Sequence, residues 1–186
     1  MRNIKLIGIA ALATSFGMCV ALGFVDEPKS GDTAPAFKGK DSEGKPIDLK
    51  AENAKGPVIL YFISNTCPVS KAATPQYQKM AKAFTKEGIR FVGVINTNKD
   101  GFDEWNRIHA ATYPVVLDPG YKIIRSYGVT KAPSMVLIGK DGKVVKFWTG
   151  YSKGFLDEQV KMSAKALGRG PSKLDFQGAP AGWMAG

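Results

Sequence analysis

Residues 58–63 read Val-Ile-Leu-Tyr-Phe-Ile, and this unbroken apolar run constrains the fold more than any other feature of the chain. Such a run leaves neither face of a strand for water, so the strand must lie inside a sheet covered on both sides. Asn65-Thr66 ends it, and Pro68, directly after Cys67, suits the first turn of a helix. That helix is expected over about 68–86, with Gly88 as its stop and Tyr77, Met80, Ala81 and Phe84 on the core face. Further along, the pattern predicts a strand at 89–95, a helix at 102–110, a short strand at 115–117 and a helix at 119–127. Strands at 135–138 and 144–148 flank the turn Lys140-Asp141-Gly142, a hairpin signal, and a last helix is expected over 152–167. Strands alternating with helices make an α/β domain with a central mixed sheet, largely parallel and covered by helices on both faces.

Composition removes several functions. With Cys19, Cys67 and one histidine, His109, the chain lacks the ligands of a zinc finger and the cysteines of a disulfide scaffold. A Ser-His-Asp hydrolase would rest on His109 alone. The net charge of +10 invites nucleic acid as a partner, but the lysines and arginines are scattered singly, usually beside an acid, and no nucleic-acid motif accompanies them. Nucleic-acid binding is therefore not expected, and neither a cofactor nor a metal is implied.

Residues 1–23 have the form of an export signal. Arg2 and Lys5 precede an uncharged stretch, Leu6 to Leu22, that closes on Ala21-Leu22-Gly23. Cleavage there starts the exported domain, 24–167, at Phe24 in a periplasmic or secreted location. If the segment stays, it is a short membrane anchor with the domain facing outside. Met18 is bulky for lipidation of Cys19. Removal of the segment takes Cys19 with it and leaves Cys67 as the one thiol. Residues 168–186 are rich in Gly, Pro and Ala without apolar periodicity, and read as a flexible tail in which Phe176 and Trp183 could serve to dock it.

Cys67 therefore carries the chemistry available to the exported domain. It sits where the buried strand ends and the helix begins, the place where open α/β sheets bind ligands. The helix start puts about half a positive charge near the sulfur and favours thiolate over thiol. A structural cysteine acting as a small hydrophobe would more naturally lie within the apolar run than after the polar pair Asn65-Thr66.

The segment Tyr61-Phe-Ile-Ser-Asn-Thr-Cys67-Pro-Val-Ser-Lys71 resembles the active-site segment of the thioredoxin superfamily. Gly128-Val-Thr-Lys-Ala-Pro133-Ser-Met-Val-Leu-Ile138 resembles its second landmark, where a cis-proline faces the active-site cysteine. Upstream, Gly31-Asp-Thr-Ala-Pro35-Ala-Phe37 and Gly44-Lys-Pro-Ile-Asp-Leu49 are similar to the opening of the redoxin branch, which holds peroxiredoxin-like and exported thioredoxin-like proteins. The resemblance spans about 31–165 and implies a thioredoxin-like fold with a redoxin N-terminal extension and an insertion. It also implies that Ala132-Pro133 is cis, leaving the neighbouring backbone free to pair with an incoming peptide.

The departures from the family pattern bear on mechanism. Ser70 stands where a dithiol enzyme has its second cysteine, so Cys67 has no internal partner; the Ser70 hydroxyl is expected near the sulfur as a hydrogen-bond donor. Tyr61 replaces the buried acid, and Thr66 the tryptophan before the cysteine. Of the peroxiredoxin pattern Ser64 is present, but Leu60 stands for its proline and Pro133 for its arginine. The related copper chaperones use two cysteines and a distant histidine; a single cysteine and His109 make too few ligands. The expected site is thus Cys67, Ser70 and Pro133, supported by Ser64, Thr66, Pro68 and Ala132. Three functions follow: an exported monothiol oxidoreductase forming mixed disulfides, a one-cysteine peroxidase, or a non-catalytic binding module. The expected partners are protein or low-molecular-weight thiols and disulfides, with hydroperoxide as the alternative, and a membrane only if residues 1–23 are retained.

Overall fold

A computed structural model describes residues 25–171 and 173–186. The signal reading of residues 1–23, and Phe24 as first exported residue, lie outside them. The chain opens with a small antiparallel hairpin, β1 (Lys38–Lys40) and β2 (Pro46–Asp48), and a short helix α1 (Leu49–Asn53) capped by the Asp48 side chain. Then come β3 (Val58–Ile63), α2 (Pro68–Thr85), β4 (Arg90–Ile95), α3 (Lys99–His109), β5 (Val115–Leu117), α4 (Lys122–Ser126), β6 (Ser134–Ile138), β7 (Val144–Thr149) and α5 (Lys153–Ala166). The main sheet has the order β5-β4-β3-β6-β7. β3, β4 and β5 run parallel, while β6 pairs antiparallel with both β3 and β7.

The apolar run lies in the middle of this sheet and is wholly buried. Its residues alternate between two cores, as the period of a strand requires. Ile59, Tyr61 and Ile63 face a core built with Tyr77, Met80 and Phe84 of α2, Phe102 and Trp105 of α3, and Leu156 and Val160 of α5. Val58, Leu60 and Phe62 face the other, built with Leu49 of α1 and Ile123 and Ile124 of α4. The four core positions expected on α2 are all buried. The β1–β2 hairpin is drawn against β5 through the Asp41–Val116 bridge, and Gly39 is needed there because a Cβ would stand 2.5 Å from Val116 Cγ1.

Two helices begin elsewhere than their apolar pattern suggests, and side-chain caps are the cause. α3 starts at Lys99, ahead of the expected 102, because Asn98 accepts the amide of Gly101 at 3.0 Å. α4 is shorter than 119–127 because the buried Asp118 carboxylate takes the amides of Lys122, Ile123 and Ile124 at 2.8–2.9 Å. Residues 173–186, expected as a flexible tail, instead run back over the domain. Phe176 is buried in the first core, Lys79 donates to the Asp175 carbonyl at 2.9 Å and Gln76 to that of Gln177 at 3.1 Å.

Candidate functional site

The sheet and α2 together position Cys67. The residue is extended (φ −71°, ψ 120°) and forms the N-cap of α2, with Pro68 starting the first turn. Its amide donates to Ser64 at 3.3 Å, closing the turn that lifts the chain from β3 into the helix. The partly buried sulfur accepts the amide of Ser70 at 3.4 Å and donates to the carbonyl of Ala132 at 3.6 Å. The peptide bond Ala132-Pro133 is cis. Pro133 is buried at the head of β6, and its carbonyl accepts Gly150 at 2.7 Å. Residues 65 positions apart in sequence, Cys67 and Ala132, thus meet because β3 and β6 are neighbours.

Ser70 contacts the sulfur differently from the expectation. The group that reaches Sγ is its backbone amide; its hydroxyl is fully buried and accepts the Ser64 amide at 3.3 Å. The reason is helical geometry: at the N-cap the amide three residues on points back at the capping atom, while the Ser70 side chain turns inward to hold the strand end. Thr66 and Pro68 are exposed on the rim beside the sulfur.

Beneath the site lies Tyr61, in the place of the buried acid. Its hydroxyl bonds to the Ser70 carbonyl at 3.3 Å and to Thr74 at 3.4 Å, and its ring stacks on Tyr77 at 4.0 Å. Burial, with neighbouring Tyr113 and Tyr77, holds this phenol well above its ordinary ionisation range. Tyr61 therefore stays neutral at physiological pH and cannot replace a carboxylate as a proton acceptor.

Beside Ser64 and Ala132 a cleft of about 180 Å³ opens, also lined by Phe62, Asn96, Tyr121 and Lys131. Asn96 binds the amide of Asn65 at 2.9 Å and the Tyr121 hydroxyl at 3.0 Å, fixing the approach to Cys67. His109 lies at the end of α3 with its ring 4.8 Å from that of Trp105. Burial, then the nearby Lys71 charge, lowers its pKa. Among the described residues no group of three or more His, Cys, Asp or Glu is placed to hold a metal ion.

One contributor was invisible in the sequence. Gly186 packs against the sulfur so closely that a Cβ on it would lie 2.9 Å from Sγ. Its segment has no apolar periodicity, and Trp183 was its one legible feature.

A mixed sheet between two helical layers, with a cysteine capping a helix against a cis-proline segment, defines a thioredoxin-like protein of the redoxin branch. The chain belongs to the AhpC/TSA family, whose model matches residues 30–147. It is 32% identical over 149 residues to the thiol-disulfide oxidoreductase ResA of Bacillus subtilis, covering 80% of this chain and 82% of that one. Two solved structures share the fold. The secreted Mycobacterium tuberculosis disulfide oxidoreductase homologous to DsbE superposes with a TM-score of 0.59 at 22% identity, over 69% of this chain and 95% of its own. The peroxidoxin BcpB of the same organism superposes with a TM-score of 0.62 at 21% identity, over 76% and 97%.

Proposed function

We propose that this chain is an exported thiol–disulfide oxidoreductase working through the single thiol of Cys67. The observation that carries this reading is the placement of the sulfur: at the head of α2, held by the Ser70 amide and set against the Ala132 carbonyl. That amide fixes the nucleophilic sulfur at the head of α2, next to the cis-proline segment. The curated relatives, named thiol-disulfide oxidoreductases, support the same class. Cys67 thiolate attacks one sulfur of a disulfide; a new S–S bond forms as the old one breaks, and the departing thiolate takes a proton from water. A low-molecular-weight thiolate then attacks the substrate sulfur of the mixed disulfide, and Cys67 leaves as thiolate. With Ser70 in place of a second cysteine, nothing within the helix turn can perform that release.

Peroxide reduction fits less well, because both bonds to the sulfur come from backbone groups and neither supplies a positive side chain. Export rests on residues 1–23, with Arg2 and Lys5 ahead of the uncharged stretch; amino-terminal sequencing that finds Met1 retained would remove a cleaved signal. The test of the chemistry is covalent trapping. Native protein, precipitated with acid and run without reductant, should carry mixed disulfides with protein or glutathione that dithiothreitol releases and Cys67→Ser lacks. Equal adducts in wild type and Cys67→Ser, or none after incubation with oxidised glutathione, would refute thiol exchange.

A further inference from the structure

The groove beside Pro133 is filled by the chain itself. Gly186 donates its amide to the Ala132 carbonyl and accepts the Ala132 amide, both at 2.8 Å, the reciprocal pair of an antiparallel bridge. Two residues earlier, Met184 exchanges the same pair with Tyr151, at 2.8 and 3.0 Å. Between them and β7, Trp183 Nε1 donates to the Thr149 carbonyl at 2.7 Å, and the Lys131 ammonium lies 5.0 Å over the indole. An extended peptide adds to a strand edge through just such main-chain bonds. Here it also brings its Gly186 backbone onto Cys67 Sγ, where a Cβ would stand only 2.9 Å away.

The way this segment is held changes along its length. Up to Gln177 it is fixed by Phe176, 1% exposed in the core, and by Gln76 and Lys79. Gly178, at φ +84°, then turns the chain. From residue 181 onward no side chain belongs to either core, no residue is charged, and Trp183 and Met184 are 53% and 42% exposed. Backbone bonds to Ala132 and Tyr151 and one indole hold it, without any core side chain, which is the low end of local stability. Its departure would leave the core intact, because Phe176 stays in place.

We propose that residues 181–186 are a releasable strap that occupies the peptide groove in the resting protein and must leave before a substrate peptide can pair with Ala132 and reach Cys67. The proposal takes its site from the function argued above but concerns access, and the two fail separately. Trp183→Ala removes a hydrogen bond and a cation–π contact; Met184→Pro removes the amide that bonds Tyr151. Each substitution is made in the full chain, at the surface and outside both cores. Alkylation of Cys67 by iodoacetamide, followed by mass spectrometry at one fixed pH, should be about tenfold faster in either variant than in wild type. Far-ultraviolet circular dichroism should be unchanged. Equal alkylation rates in all three proteins would overturn the strap. Mixed-disulfide formation with oxidised glutathione, measured in parallel, isolates the chemistry. Faster alkylation in the variants without any mixed disulfide keeps the strap and refutes thiol exchange; mixed disulfide at equal rates with equal alkylation does the reverse.

Discussion

Replacing Ser70 by cysteine restores the second thiol that the active-site turn lacks, and the structure sets its cost and its gain. Ser70 is fully buried and its hydroxyl accepts the Ser64 amide at 3.3 Å. A thiol accepts poorly, so the reduced variant should lose about 1 kcal/mol, the net value of one buried hydrogen bond. Oxidation then closes a ring over residues 67–70. Loop-closure entropy for so short a ring amounts to about 2 kcal/mol. The oxidised variant should therefore exceed the reduced one by about 2 kcal/mol and wild type by about 1 kcal/mol. For a chain of this size that separates the melting temperatures of the two redox forms by about 4–8 °C. Thermal melts with and without dithiothreitol measure it, and wild type should show no such gap. The chemistry should change in step. The new thiol displaces a bound partner, so trapped mixed disulfides become scarce and an internal disulfide appears. Equal trapping in wild type and Ser70→Cys, or melts of the variant that ignore dithiothreitol, would refute the view that Ser70 is what denies Cys67 an internal partner.

Two further outcomes follow from groups that position the site. Asp118→Ala strips the caps from three amides at the head of α4, next to the cleft residues Tyr121 and Ile124, and should cost about 2–3 kcal/mol in urea denaturation; a loss under about 0.5 kcal/mol would refute the cap. Burial, the largest cause at each, raises the phenol pKa values of Tyr61, Tyr77, Tyr113, Tyr127 and Tyr151. In the unfolded chain these groups ionise near pH ~10. Their contribution to stability is thus complete below that pH and is lost as the pH climbs toward the folded values. Tyrosinate absorbance for these residues should appear together with loss of circular dichroism, and smooth ionisation of all six tyrosines in a folded chain would contradict their burial.

How far the sequence reveals this molecule depends on what holds each part. The run 58–63 and the α2 face carry their own periodicity, and the buried strand and helix sit where that pattern puts them. Cys67 was legible because a strand end and a helix start bracket it. The meeting of Cys67 with Ala132 was legible only through family resemblance, since it depends on β3 and β6 being neighbours across 65 residues. Helix starts at Asn98 and after Asp118 were missed because one capping side chain, not a pattern, sets them. The role of Ser70 was half legible: its proximity to sulfur followed from the helix turn, but which of its atoms faces sulfur depended on the Ser64 amide. Of residues 181–186 only Trp183 left a signal, because backbone hydrogen bonds hold the others and any small residues could make those.

The two proposals constrain each other. In a dithiol site the second cysteine limits the life of the mixed disulfide from within. Here Ser70 cannot, so release depends on a thiol arriving from solution along the same approach that the strap covers. A substrate that displaces Gly186 from Ala132 opens that approach, and the returning strap competes with the bound peptide for the same two backbone groups. Substrate entry and peptide departure are then governed by one equilibrium, set by backbone hydrogen bonds and by the contacts of Trp183 with Thr149 and Lys131. Electrostatic screening acts on charges, so of these contacts it weakens the one between Lys131 and the indole and leaves the backbone bonds in place. Strap opening should therefore respond strongly to changes at Trp183 and only modestly to ionic strength, through Lys131; a salt dependence as steep as that of gating by surface ion pairs such as Lys146–Glu158 would refute it.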